Sequence, residues 1–195
     1  MYSEEDHSYH SHYSEENIYK LAYKYSNQTF EVKESFVVFI SNENKHVPMW
    51  KQRLSSNDKE PVLWDYHVIY VIPNEDGEAH VIDLDSTLGY RVPFAKYMKE
   101  TFHPDAPLAN REHDQLFRVV PADLFLDYFA SDRSHMVSSY PNYKQKPPAW
   151  PTIKGHKAET EMNVEKYISM EEQEAEYYGK VMTLRDFMEM GMGQQ

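Results

Sequence analysis

The sequence predicts an α+β fold, and three features predict it. An amphipathic stretch opens the patterned part of the chain, a β-rich middle contains a hairpin, and helical spacing returns between and after the strands. Residues 1–11 (MYSEEDHSYHS) carry no apolar periodicity and are expected as a flexible polar tail, which leaves 12–195 as a single domain of ordinary size.

Each element has its own signal. Between Tyr13 and Tyr23, Ile18, Leu21 and Ala22 fall on one helical face, and Ser14, followed by Glu15 and Glu16, marks the start of that helix. Ser35–Ser41 is a short apolar run suited to a buried strand, and Pro61–Ile72 is a longer one rich in β-branched and aromatic residues. Asn74-Glu75-Asp76-Gly77 reads as a turn, so Glu78–Leu84 is expected to return as the second arm of a hairpin. Gln115–Val120 is a further strand, stopped by Pro121. Arg91–Phe102, Ala122–Ala130 and Thr183–Met190 have apolar residues at helical spacing, the last with Thr183 as its cap. Tyr140–Pro151 is rich in proline and aromatics and is expected as an extended loop.

Composition narrows the function. With 41% hydrophobic and 14% aromatic residues, the chain can fill a core rather than remain disordered. No apolar run approaches the roughly 20 residues of a membrane helix, and no apolar segment marks a secretory leader near Met1, so a soluble intracellular protein is expected. A formal charge of −12 and the absence of a basic stripe disfavour nucleic acid and favour cationic partners. The 195 residues include no cysteine, which excludes disulfides, zinc–thiolate sites and a thiol nucleophile. His7, His10 and His12 could chelate a metal from a flexible segment, but a histidine-rich tail is the plainer reading. The Met-rich end (Met188, Met190, Met192) suits packing better than binding.

Three polar positions stand out for chemistry. Ser14 opens the first helix, and His67 lies in the strand segment Trp64–Val68, where alternation would put it on the same face as Asp65. Asp83 lies on the other arm of the hairpin, across from or diagonal to His67 and within reach of a His–carboxylate hydrogen bond. A nucleophile at a helix start, an imidazole and an orienting carboxylate are the parts of an acyl-transfer site. The same residues also fit a plain helix cap and a structural His–Asp pair.

Longer segments add a resemblance. Tyr13-x-Glu15-Glu16-Asn17-Ile18-Tyr19-Lys20-Leu21 resembles the opening of the N-terminal glutamine amidohydrolases, whose second residue is cysteine. Phe39–Glu43, Pro48-x-Trp50-Lys51-Gln52, Trp64–Val68, Asp83-Leu84-Asp85, Phe117-Arg118-Val119, Ser131–Met136, Pro147-Pro148-x-x-Pro151 and Tyr167–Met170 follow in that family's order. The similarity spans about residues 12–190.

The resemblance implies an antiparallel sheet flanked by helices, related to papain-like and transglutaminase enzymes. It implies an amidase that converts the side-chain amide of an N-terminal Gln to Glu with release of ammonia, a step of the N-degron pathway. The family's Cys, His and Asp fall on Ser14, His67 and Asp83. No metal or organic cofactor is expected, and the partners are proteins or peptides with N-terminal Gln, with neither nucleic acid nor membrane. A monomer is expected, in the cytoplasm with the nucleus also open to it. Glu15, Glu16 and Asp65 are the local carboxylates for the substrate's cationic α-amino group.

The chain departs from the family at the nucleophile, where Ser14 stands for cysteine. An active-site substitution, a chain stripped of every cysteine and a natural serine-using or inactive relative would each give this sequence. A non-catalytic binder of N-terminal Gln is the rival reading, and ammonia release separates the two.

Overall fold

The computed structural model describes residues 9–27, 35–57, 59–73, 79–104, 114–139 and 142–191. Twelve strands are formed among them: β1 (Phe36–Ser41), β2 (Val47–Met49), β3 (Val62–Trp64), β4 (His67–Ile72), β5 (His80–Ile82), β6 (Val92–Pro93), β7 (Leu116–Pro121), β8 (Ala130–Ser131), β9 (Val137–Ser139), β10 (Asn142–Tyr143), β11 (Ile153–Lys154) and β12 (Lys180–Thr183). The helices are α1 (Ser14–Ser26), α2 (Phe94–Phe102), α3 (Ala122–Tyr128), α4 (Val164–Ile168) and α5 (Leu184–Gly191).

Six strands make one antiparallel sheet in the order β12-β7-β1-β4-β5-β6. The two-residue alternation of β1, β4 and β7 divides their side chains between two cores. Val37, Phe39, Val68 and Tyr70 face α1, α3 and α4, joining Ile18, Leu21, Phe125 and Tyr167. Val38, Ile40, Ile69, Val71 and Phe117 face α2 and α5, joining Tyr97, Met98 and Phe187. Both faces of the central strands are therefore covered, which is why Ser35–Ser41 is almost continuously apolar. The α+β expectation of an antiparallel sheet flanked by helices is met.

Several boundaries differ from those expected. The run Pro61–Ile72 is two strands: β3 pairs with β2 in a small separate sheet, and β4 starts afresh at His67. Between them Asp65 and Tyr66 form a bend in which the Asp65 carboxylate accepts the Tyr66 backbone N–H (2.9 Å). Asp65 is exposed while His67 is fully buried, so the two do not share a strand face. Alternation along one sequence run cannot reveal that its two ends pair with different partners.

The expected helix over Arg91–Phe102 begins only at Phe94, because Val92 and Pro93 pair with β5. Thr183 does cap α5: its Oγ1 accepts the Asp186 N–H (3.2 Å). The hairpin turn Asn74–Gly77, His7 and Met192 lie outside the described residues.

Of the expected tail, residues 1–8 lie outside the described residues, and Tyr9–Ser11 lie against the domain. The Tyr9 hydroxyl donates to Asp85 Oδ1 (2.5 Å), and the His10 backbone N–H donates to Asn17 Oδ1 (2.9 Å). His10 Nε2 pairs with the Lys146 carbonyl (2.7 Å), and its ring meets Trp150 edge-on. Side chains three to five residues before a helix carry no periodic signal of this packing, because their partners are distant in sequence.

Candidate active site

The hairpin register explains why His67 and Asp83 meet. Tyr70 pairs with Ile82 and Val71 with Val81, so Asp83, one residue past β5, falls opposite Ile69. His67 stands two residues from Ile69 on the same face, which makes it the diagonal neighbour of Asp83. His67 Nε2 lies 2.8 Å from Asp83 Oδ1, with both side chains almost wholly buried.

Asp83 is saturated with donors. Oδ1 also accepts the Asp85 N–H (3.0 Å), while Oδ2 accepts Gln52 Nε2 (3.0 Å) and the Tyr97 hydroxyl (2.9 Å). Burial disfavours the ionised carboxyl, but the imidazole and these donors outweigh it and hold Asp83 below the ordinary carboxylate range. Desolvation likewise works against the imidazolium, yet the neighbouring Asp83 charge prevails and His67 is held above its usual pKa. Trp64 stacks on the imidazole at 4.8 Å, which fixes the ring plane. The other nitrogen, Nδ1, is buried and has no hydrogen-bond partner among the described residues. With Nε2–H committed to a carboxylate, Nδ1 is the basic position.

Ser14 is the first residue of α1, and Tyr13 holds the cap position without a side-chain hydrogen bond. The serine is therefore inside the helix, and its hydroxyl does not serve as the cap. Among the described residues its hydroxyl has no hydrogen-bond partner, and the side chain is nearly buried. α1 packs on β4, and the Tyr66 hydroxyl donates to Glu15 Oε2 (2.9 Å). That bond ties the residue before His67 to the residue after Ser14.

The three carboxylates expected to hold a cation have different environments. Both oxygens of Glu16 are occupied: Oε1 by Arg133 Nε (2.8 Å), and Oε2 by Arg133 Nη2 (2.8 Å) and Trp150 Nε1 (2.7 Å). This buried ion pair fastens α1 to the loops carrying Arg133 and Trp150, and removing one partner would cost about 3–5 kcal/mol. Asp65 caps its bend at the surface, as described. Glu15 is wholly buried, its Oε1 lies 3.7 Å from His135 Nε2, and that oxygen has no hydrogen-bond partner among the described residues. His135, in a 3-10 turn at Ser134–Met136, supports this corner from a loop.

Burial pushes the Glu15 carboxyl up to about 8, far above its usual 4.5. A folded state that keeps this proton after the unfolded chain has lost it binds more protons, so stability falls as pH rises from about 4.5 to about 8. Glu15→Gln should flatten that fall and stabilise the chain at pH 8 by roughly 2–4 kcal/mol. Urea unfolding of both forms across this range measures it, and parallel curves would contradict it.

Gln52, Tyr97 and Asp85 were missed as site residues by sequence reasoning. Gln52 sits outside the main sheet in an isolated bridge to Ser86, and Tyr97 projects from α2. Neither carries a periodic signal; only the motifs Pro48-x-Trp50-Lys51-Gln52 and Asp83-Leu84-Asp85 pointed to this neighbourhood. His67, Asp83 and Asp85 each offer a ligand atom within 4.8 Å of the others. Four protein donors already fill the Asp83 oxygens, so this grouping is a hydrogen-bonded relay rather than a free ligand set. His10 is held by Lys146 and Trp150, unlike a chelating residue on a loose segment.

Comparison with known proteins identifies relatives of this chain. A family model described as N-terminal glutamine amidase matches residues 9–191. A Danio rerio protein N-terminal glutamine amidohydrolase is 41% identical over 181 residues, covering 92% of this chain and 87% of the relative. The Bos taurus protein of that name is 38% identical, covering 92% and 84%. The Homo sapiens protein is 38% identical, covering 92% and 85%.

Proposed function

This chain belongs to the N-terminal glutamine amidase family, and from that premise we propose that it acts on the side-chain amide of an N-terminal glutamine through Ser14, His67 and Asp83. The reaction is hydrolysis of that amide to the carboxylate, with release of ammonia. The observation that supports the assignment of residues is the buried His67–Asp83 pair, whose remaining imidazole nitrogen has no hydrogen-bond partner among the described residues.

Ser14 Oγ attacks the amide carbon as its proton passes to His67 Nδ1. The tetrahedral oxyanion that forms is stabilised by first-turn N–H groups of α1, which have no partner within the helix. The C–N bond then breaks, His67 returns the proton to nitrogen, and ammonia leaves an acyl group on Ser14. Water, deprotonated by His67, attacks the ester; Glu is released and the proton returns to Ser14. Asp83 holds the Nε2 tautomer and stabilises the imidazolium formed in both halves.

A second reading is favoured by the hydroxyl at position 14. A thiol beside an imidazolium is held as thiolate, whereas a serine must lose its proton during attack. This form of the chain therefore binds N-terminal Gln more readily than it turns it over.

Specificity for a chain terminus needs a partner for its α-ammonium, and the −12 charge favours such a cation. A Gln-initiated peptide is expected to bind about a hundredfold more tightly than its N-acetylated form. Titration calorimetry, with ammonia release followed in parallel, tests this. Equal binding of the two peptides would contradict it.

A further inference from the structure

We propose that Asp85 receives the α-ammonium of the N-terminal glutamine, and that its fixed distance from the reacting atoms sets the side-chain length the site accepts. The proposal rests on the function argued above and names the determinant of its specificity.

The two neighbouring carboxylates contrast sharply. Asp83 accepts four hydrogen bonds and pairs with His67. Asp85 is 2% exposed, yet among the described residues its carboxylate accepts only the Tyr9 hydroxyl. A carboxylate offers about four acceptor directions, so most of this one's capacity is unused. A neutral phenol is also a weaker partner for a buried anion than a cation is. The Tyr9 ring is 38% exposed, so the cover over Asp85 is a surface side chain rather than a packed core. Arg53 lies over that ring at 5.9 Å, donates its backbone N–H to the Asp85 carbonyl (2.7 Å) and its Nε to the Ser86 carbonyl (3.5 Å).

A second acceptor lies in the same cluster. Gln52 gives its Nε2 to Asp83, which leaves Gln52 Oε1 buried with no hydrogen-bond partner among the described residues. A substrate ammonium has three donors, and an ionised oxygen beside an amide oxygen can take two of them. The Asp85 main chain is fixed on both sides, by its N–H on Asp83 Oδ1 and by its carbonyl under Arg53.

Distance supports the assignment. Four bonds separate the amide carbon of Gln from its α-nitrogen, a reach of roughly 5 Å when extended. An Asp85 oxygen lies within 4.8 Å of a His67 nitrogen, a span comparable to that reach, so an ammonium seated on Asp85 would set the amide carbon close to the imidazole. Asn is one methylene shorter and, with its ammonium on the same carboxylate, falls short of the nucleophile. The expected alternatives are less suited. Glu16 is consumed by Arg133, Asp65 is at the surface, and Glu15 has no exposed surface and retains its proton at neutral pH.

The test is titration calorimetry of the full chain and of Asp85→Asn with three peptides: one beginning with Gln, its counterpart lacking only the α-amine, and one beginning with Asn. Removing the amine should weaken binding to the unsubstituted chain about a hundredfold and to Asp85→Asn less than about threefold. A full amine preference retained in folded Asp85→Asn overturns the Asp85 assignment while leaving the function intact. No amine preference in the unsubstituted chain overturns the function and this proposal together. If circular dichroism shows Asp85→Asn unfolded, Asp85→Glu decides. Its carboxylate is advanced by one methylene and should reduce the Gln-over-Asn preference about tenfold, and an unchanged preference overturns the assignment.

Discussion

His67→Ala and Asp83→Asn should each lower turnover of a Gln-initiated peptide by about ten-thousandfold, in this chain or in a more active form of it. The two losses have different origins. Without His67 there is no base at Nδ1 and no acid to protonate departing ammonia, and among the described residues no other imidazole contacts Asp83. Asp83→Asn keeps a side chain of the same shape but places an amide where Asp83 accepts four donors. At least one of those donors is left without an acceptor, and the His67 tautomer is no longer dictated. A stability loss of about 1–3 kcal/mol should accompany the change, small enough to leave a folded protein for assay. Ammonia release and near-UV circular dichroism on the same samples separate the two effects. If either variant unfolds outright, the pair is primarily structural; if both are folded and turn over normally, the triad assignment fails.

A larger effect is expected at the nucleophile. Ser14→Cys should raise deamidation of Gln-peptides by several orders of magnitude, on the order of a thousandfold or more. The new thiol would sit at the first position of α1, where the helix dipole favours an anion, and the proposed mechanism pairs it with the imidazole of His67. Asp83 holds that ring above its ordinary pKa, so the imidazolium persists beside the sulfur and the thiolate forms before substrate attack. The serine hydroxyl gains much less, since its proton leaves only during the reaction. Oxygen is also smaller than sulfur, which leaves a looser contact in a pocket shaped by the surrounding frame.

Much of this arrangement was legible in the sequence, for physical reasons. The helix start at Ser14 had an acidic first turn and an apolar face. The β4–β5 pairing followed from two apolar runs around a turn-forming segment, and the diagonal contact of His67 with Asp83 followed from the pairing. Less legible were features that depend on long-range partners. The bend at Asp65–Tyr66 interrupts a run whose composition is uniform, and its cause is the pairing of β3 with β2. Glu15 and Glu16 are adjacent and chemically alike, yet one meets Arg133, 117 residues away, and the other meets Tyr66 and His135. Nothing local distinguishes them. The same holds for Asp83 and Asp85, two residues apart on one chain, one saturated with donors and the other holding a single phenol. Tyr9 lies in a polar, aperiodic segment of the kind that usually lacks partners, yet its hydroxyl donates to Asp85.

The most direct test of the whole account is ammonia release from a Gln-initiated peptide, measured for the Ser14 chain and for Ser14→Cys at equal folded concentration, with peptide affinity measured alongside. The account predicts similar affinity in both forms and a rate at least about a thousandfold higher with cysteine, stoichiometric with conversion of the terminal Gln to Glu. Equal rates would identify a true serine amidase and contradict this view of the site. Two folded forms that both bind but never release ammonia would contradict the catalytic assignment itself and leave a binding module for N-terminal Gln.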